Sequence, residues 1–248
     1  MLHGFGQVHQ ADSDRPRTVV GINIVTSVAR VDGNRIWVSS TGGDDSGWLD
    51  AHNVLLLSNA IAYFTAKIGQ DPSDWDALLR RGEADHALNQ RDAATLDYTK
   101  AIALHPSEAF LYLRRGRHYS TLRDCNSALH DFEAAIKLVP TSLPEDYNLT
   151  AELYSLESGI YAGCPDRTYR DSQRAIATAQ RAVDLDPSRP TLLSILASAY
   201  ASEGDFANAV IAQKRALTSA QFPPGYRNDG QHQLEAYQRA LTGKQPAH

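Results

Sequence analysis

The 248-residue chain is poor in cysteine, in long apolar runs and in excess charge, and each shortage removes a class of function. Cys125 and Cys164 are its two cysteines. They make no disulfide framework and no metal-ligand pair, so free thiols are the expected state. The longest apolar run, Val54–Leu57, falls far short of the roughly 20 residues of a membrane-spanning helix and reads as a core segment. Lys and Arg number 24 against 29 Asp and Glu, a net charge of −5. That balance argues against a general nucleic-acid or membrane-surface binder. Met1–Asp14 shows no charged start followed by an apolar stretch. No secretory signal is visible there, and a cytoplasmic location is the default expectation.

The patterns that carry chemistry are also missing. There is no H-E-x-x-H, no C-x-x-C, no G-x-S-x-G, no Walker-type loop and no dinucleotide fingerprint. His86, His118 and His130 fall in separate helices or turns, and read as surface or packing residues rather than ligands. Glu83 and Asp85 stand two apart on a predicted helix, so they point in different directions and form no acid/base pair. The expectation is a chain without catalytic site, metal or cofactor. An enzyme site near Trp48, Asp50 and His52 is the least supported alternative.

What is present is a unit written twice. From Trp75 to Pro140, Gly82 recurs as Gly116, Ala94 as Ala128, Tyr98 as Phe132, Ala101 as Ala135 and Pro106 as Pro140, each step being 34 residues. A fixed period of this length signals stacked repeats. Each copy reads as two helices joined by a polar break. Ala94, Tyr98 and Ala101 lie on one face of the second helix, and Pro106 and Pro140 stop it. Small residues at Gly82 and Ala94 predict a close approach of the two helices.

This pattern resembles the tetratricopeptide repeat. It departs from that family at Arg81 and Arg115, where an apolar residue is usual, and at Asp85, where Tyr is usual; Tyr119 keeps the Tyr. The resemblance implies a mostly α protein, a right-handed solenoid of repeats over 73–106, 107–140, 141–187 and 188–221. A half-repeat helix at 54–72 precedes them, and a loop and capping helix at 222–248 follow. In the third repeat Ser158 and Tyr161 take the expected small and Tyr positions, and the turn containing Cys164-Pro165-Asp166 is about five residues longer than before. A similar turn is found in bacterial repeat proteins. In the fourth, Leu196, Ala197, Tyr200, Gly204, Ala209 and Ala216 fit, whereas Gln213 replaces the aromatic. The terminal helix is expected over His232–Leu241.

Residues 1–53 differ in character. Val19–Val25 is β-branched, and Val28–Val31 and Arg35–Ser39 flank Asp32-Gly33, a strong hairpin signal. With the Gly47-Trp48 pair, the order resembles a small bacterial SH3-like barrel, its first strand drawn from Gln7–Ala11. Trp37 and Trp48 are its candidate surface residues, and such a barrel would cover the open end of the helical array.

For the helical part the resemblance implies a non-catalytic scaffold that binds protein or peptide along the concave faces of the first helices. The candidate groove residues are Asp76, Leu79, Arg80 and Glu83 in one repeat and Phe110, Leu113, Arg114 and Arg117 in the next. An apolar and basic set of this kind suits an acidic partner, because the planar guanidinium holds a carboxylate with two bonds. The competing reading is that these are solvated faces, with Arg81 and Arg115 merely laying their stems along the core. A further alternative makes the SH3-like part a cell-envelope module for peptide or wall polymer.

Overall fold

The computed structural model describes residues 17–20, 25–32, 35–39, 47–50, 55–140 and 144–243. The chain divides into two compact units, Met1–Pro106 and Ser107–His248.

The first unit begins with five short strands: β1 (Arg17–Val20), β2 (Val25–Asp32), β3 (Arg35–Ser39), β4 (Gly47–Asp50) and β5 (Leu55–Leu56). They form one sheet in the order β4-β3-β2-β1-β5. The expected hairpin is present, with Asp32 paired to Arg35 and a register shift between Val28 and Arg30 that marks a bulge. Among the described residues no pairing joins β4 to β5, so the sheet by itself does not amount to a barrel. The expected first strand at Gln7–Ala11 lies outside the described residues.

Leu55 and Leu56 depart from the helical assignment of the sequence reading, since they pair with Val20 and Val19 of β1. An unbroken apolar run has no period that separates strand from helix, and the partner strand decides. Helix α1 (Leu57–Gln70) follows at once and buries Leu57, Ala60 and Phe64 against Ala77 and Ala84 of α2 (Trp75–Ala87). Asp74 caps α2 by accepting from the Ala77 amide at 2.8 Å. Helix α3 (Arg91–Leu104) completes the hairpin and presents Ala94, Tyr98 and Ala101 to the core, as their spacing requires.

The second unit is helical in its described residues. It runs α4 (Ala109–Thr121), α5 (Cys125–Leu138), α6 (Pro144–Gly163), α7 (Ser172–Leu185), α8 (Pro190–Glu203), α9 (Phe206–Thr218) and α10 (Arg227–Thr242). Asp124, Asp171 and Asp205 cap the second helix of each hairpin, and each accepts from an amide three residues on. One backbone device recurs at the hairpin turns: Asn89, Arg123 and Gly204 all take positive φ, at 60°, 62° and 85°. Only Gly204 does so without a side-chain penalty. The longer third turn contains a single 3₁₀ turn at Arg167–Tyr169, held by Asp166 accepting from the Thr168 amide.

Two sequence expectations are corrected here. The cysteines are not free: Cys125, the first residue of α5, is bonded to Cys164, the residue after α6, across 39 positions. The sequence alone does not show that the end of α6 brings Cys164 to the start of α5. Second, α10 starts at Arg227, five residues before the expected His232. Gly230 makes this possible. Its backbone approaches α9 so closely that a Cβ would lie 3.0 Å from both Gln213 Nε2 and Leu217 Cδ2. Gln213, fully buried in the place of the missing aromatic, donates to the Gly230 carbonyl at 3.0 Å.

Candidate functional site

Within the second unit, α6 lies against α8 and touches α4, whereas α7 and α9 make no contact as extensive as that of α6 with α8 among the described residues. The first helices of the hairpins are therefore the crowded side of this unit, and their outward residues form one wall. On α4 that wall carries Phe110, half-buried against the core of Leu113, Phe132 and Leu153, with the Arg114 guanidinium 4.4 Å from its ring centroid. One turn further, Arg117 reaches across to α6 and bonds Glu152 at 2.7 Å. This ion pair is open to solvent, with side chains 51% and 34% exposed. Leu113 is buried and backs the wall rather than facing outward.

In the first unit the corresponding face of α2 is tied together by its own ion pairs. Arg80 bonds Asp76 and Glu83, both at 3.2 Å, and Leu79 is buried. The sequence-predicted residues thus occupy the outward face of their helices or lie directly beneath it. The three arginines are not a bare basic patch: Arg80 and Arg117 are held by carboxylates and Arg114 by an aromatic ring.

Arg81 and Arg115 correct another expectation. They do not simply lay their stems along the core. Arg81 grips Asp97 with two bonds of 2.6 and 2.8 Å, and Arg115 grips Asp131 with two of 2.8 Å. Both aspartates are nearly inaccessible. Carboxylate bonding raises both guanidinium pKa values further above their ordinary range. The signal for this pair was in the sequence: Arg and Asp each recur after 34 residues, as 81 to 115 and 97 to 131. Asp85, buried beside the first pair, has its carboxyl pushed up by burial and then by the Asp97 charge, with Arg81 opposing.

In the third hairpin Glu157 of α6 is buried. Burial, then the neighbouring Glu133 charge, pushes its carboxyl up to about 7, against the pull of Arg181. Arg181 in turn sits 5.6 Å from the Tyr154 ring centroid. Ser158 donates to the Ala175 carbonyl at 2.9 Å, which closes the third hairpin where Gly82 and Gly116 close the first two. His118 is buried as a packing residue and His130 is exposed. Among the described residues no group of three or more His, Cys, Asp or Glu is placed to hold a metal. No described helix is long and apolar enough to cross a membrane. Trp37 and Trp48 are register partners on β3 and β4, and His52 lies outside the described residues.

Residues 169–225 match the tetratricopeptide repeat family. No curated protein matches the chain significantly. Solved structures with the same fold include YrrB, "a TPR protein with an unusual peptide-binding site", at 19% identity and a TM-score of 0.52, over 73% of this chain and 84% of that one. MamA is similar at 19% identity and a TM-score of 0.51, over 65% of this chain and 86% of that one. These likenesses, the 34-residue period and the helix hairpins agree: the helical part of the chain has the tetratricopeptide-repeat fold.

Proposed function

We propose that the chain is a non-catalytic protein- or peptide-binding scaffold, and that the wall of α4 and α6 in its second unit is a docking face. The observation that carries this reading is the Phe110–Arg114 stack beside the exposed Arg117–Glu152 pair. An aromatic and two guanidinium groups on one surface suit an acidic segment with an aromatic or aliphatic anchor. An exposed ion pair contributes little to the fold, about 0–1 kcal/mol, so a ligand carboxylate can take Arg117 from Glu152 at small cost. Peptide binding by YrrB supports the class of partner by fold analogy. On α2 of the first unit only Asp76 of the corresponding set is well exposed, since Arg80 and Glu83 are largely enclosed with Leu79, and that face is the weaker candidate.

The test is selection of a displayed random-peptide library on the full chain. Enriched peptides should combine Asp or Glu with an aromatic residue. Their affinity should fall on the order of tenfold or more in the Arg114→Ala/Arg117→Ala variant, at unchanged helix content. Equal affinity for variant and parent would remove this wall as the site.

One observation favours a second reading for the N-terminal sheet. β1 to β4 follow in order, β5 returns beside β1, and Trp37 stands opposite Trp48 in register. This arrangement supports an SH3-like domain over residues 1–53, with Leu55–Leu56 added at its edge, that takes a peptide or a cell-wall polymer. Binding of purified wall polymer, lost in Trp37→Ala or Trp48→Ala, is the corresponding measurement.

A further inference from the structure

The Cys125–Cys164 bond bears on where the chain works. Both half-cystines are buried, at 4% and 2% exposure, and they stand 39 residues apart in the chain. The segment that follows Cys164 is built rather than loose. Arg170 donates to the Cys164 carbonyl, the Asp171 amide donates to the Tyr161 carbonyl at 3.0 Å, and Asp166 caps the 3₁₀ turn. This turn is about five residues longer than those of the other hairpins, but Cys164 precedes the added residues: its amide still bonds the Ile160 carbonyl at 2.9 Å, so the end of α6 places the second sulfur. A reducing cytoplasm keeps thiols reduced, and cross-links found there are mostly transient, catalytic or redox-sensing. Such sites need an accessible sulfur, since exchange proceeds by attack of a thiolate on a disulfide sulfur. Neither sulfur here is presented for attack.

We propose that Cys125–Cys164 is a permanent structural cross-link and that the chain folds and works in an oxidising compartment. Its formation is thiol–disulfide exchange with a protein disulfide of that compartment as oxidant. One cysteine thiolate attacks the oxidant's disulfide and displaces one of its sulfurs. The second cysteine then attacks the mixed disulfide, forming the Cys125–Cys164 bond. The oxidant leaves as a dithiol carrying two electrons and two protons, so one S–S bond is broken and one made.

The deciding measurement uses the chain recovered from the cells that produce it naturally. These are quenched in acid, denatured and treated with a maleimide-bearing polyethylene glycol. The proposal expects no adduct before chemical reduction and two afterwards; two adducts without reduction would overturn it. A second measurement compares melting of the oxidised full chain with that of the same chain reduced while unfolded and refolded in a dithiol reductant, alongside Cys125→Ala/Cys164→Ala treated both ways. The parent should lose on the order of 5–15 °C on reduction. The variant should melt at one temperature in both buffers. A parent indifferent to reductant would refute the structural role, and that result stands even if the variant does not fold.

Discussion

Gly82 and Gly116 hold the same step of the repeat, yet they are not equally crowded. A Cβ at Gly116 would lie 2.6 and 2.8 Å from two Phe132 ring carbons and 3.2 Å from the Asp131 Cβ. At Gly82 the corresponding approach is 3.1 Å to the Tyr98 ring and 3.4 Å to the Ala94 carbonyl. The Phe132 ring is fully enclosed and has nowhere to retreat. Replacing a mid-helix glycine by alanine gains roughly 1 kcal/mol of helix propensity, whereas overpacking costs about 1–3 kcal/mol. Gly116→Ala should therefore lower stability on the order of 1–2 kcal/mol, while Gly82→Ala stays within about 1 kcal/mol of the parent. Urea midpoints at constant slope would measure the difference. Equal shifts would mean that ring contact does not set it. The equivalence of the two glycines was legible in the period, but their inequality was not, because it depends on how a particular ring lies.

At the scale of the element, each of the first two hairpins is pinned by an Arg–Asp pair, and the fourth does without one. Leu196 and Ala212 stand at the corresponding places, and both are buried. The chain thus contains its own apolar alternative. Removing one member of a buried pair strands the other charge and costs about 3–5 kcal/mol, whereas replacing both by packed apolar groups is often neutral or stabilising. Asp131→Ala should accordingly be among the most damaging changes in α5. Arg115→Leu/Asp131→Ala, which copies the fourth hairpin, should recover most of that loss. A double-mutant cycle on thermal or denaturant unfolding checks this. If the double variant is as unstable as Asp131→Ala, packing rather than the stranded charge is responsible. Legibility at this scale was partial. Arg81 and Arg115 stood out as departures from the repeat, but their partners lie 16 residues away, and the contact follows only once two helices are folded side by side.

For the whole molecule, Glu157 ties stability to pH. Its carboxyl titrates at about 7 in the folded chain against an ordinary 4.5, mainly because it is buried and secondarily because Glu133 is near. The folded state therefore holds the proton more tightly than the unfolded state. The stabilisation is fully present below the unfolded value and is lost as pH rises through about 7. At about 1.4 kcal/mol per tenfold in proton affinity, the ceiling is about 3 kcal/mol. Glu157→Gln cannot ionise. It should match the parent near pH 5, exceed it in stability near about pH 8, and flatten the profile between. Melting temperatures of both chains across that range decide the matter. A parent whose stability rises through neutrality would show that other groups dominate.

Local chemistry and period were enough to determine much of this protein. A 34-residue step in small, aromatic and proline positions dictates helix hairpins, because each position has a packing or chain-stopping role that composition alone enforces. Turn residues between β-branched runs likewise mark the β2–β3 hairpin, although Asp32, expected within the turn, is the last residue of β2 and pairs with Arg35. The tertiary structure decided what depends on distant partners. It paired the Leu55–Leu56 segment with β1, joined Cys125 to Cys164, set Arg115 on Asp131 and covered Phe110 with Arg114. In each case the residue type allowed several fates. The choice was made by which groups the folded backbone brought within reach, and a pattern along one chain does not encode that distance.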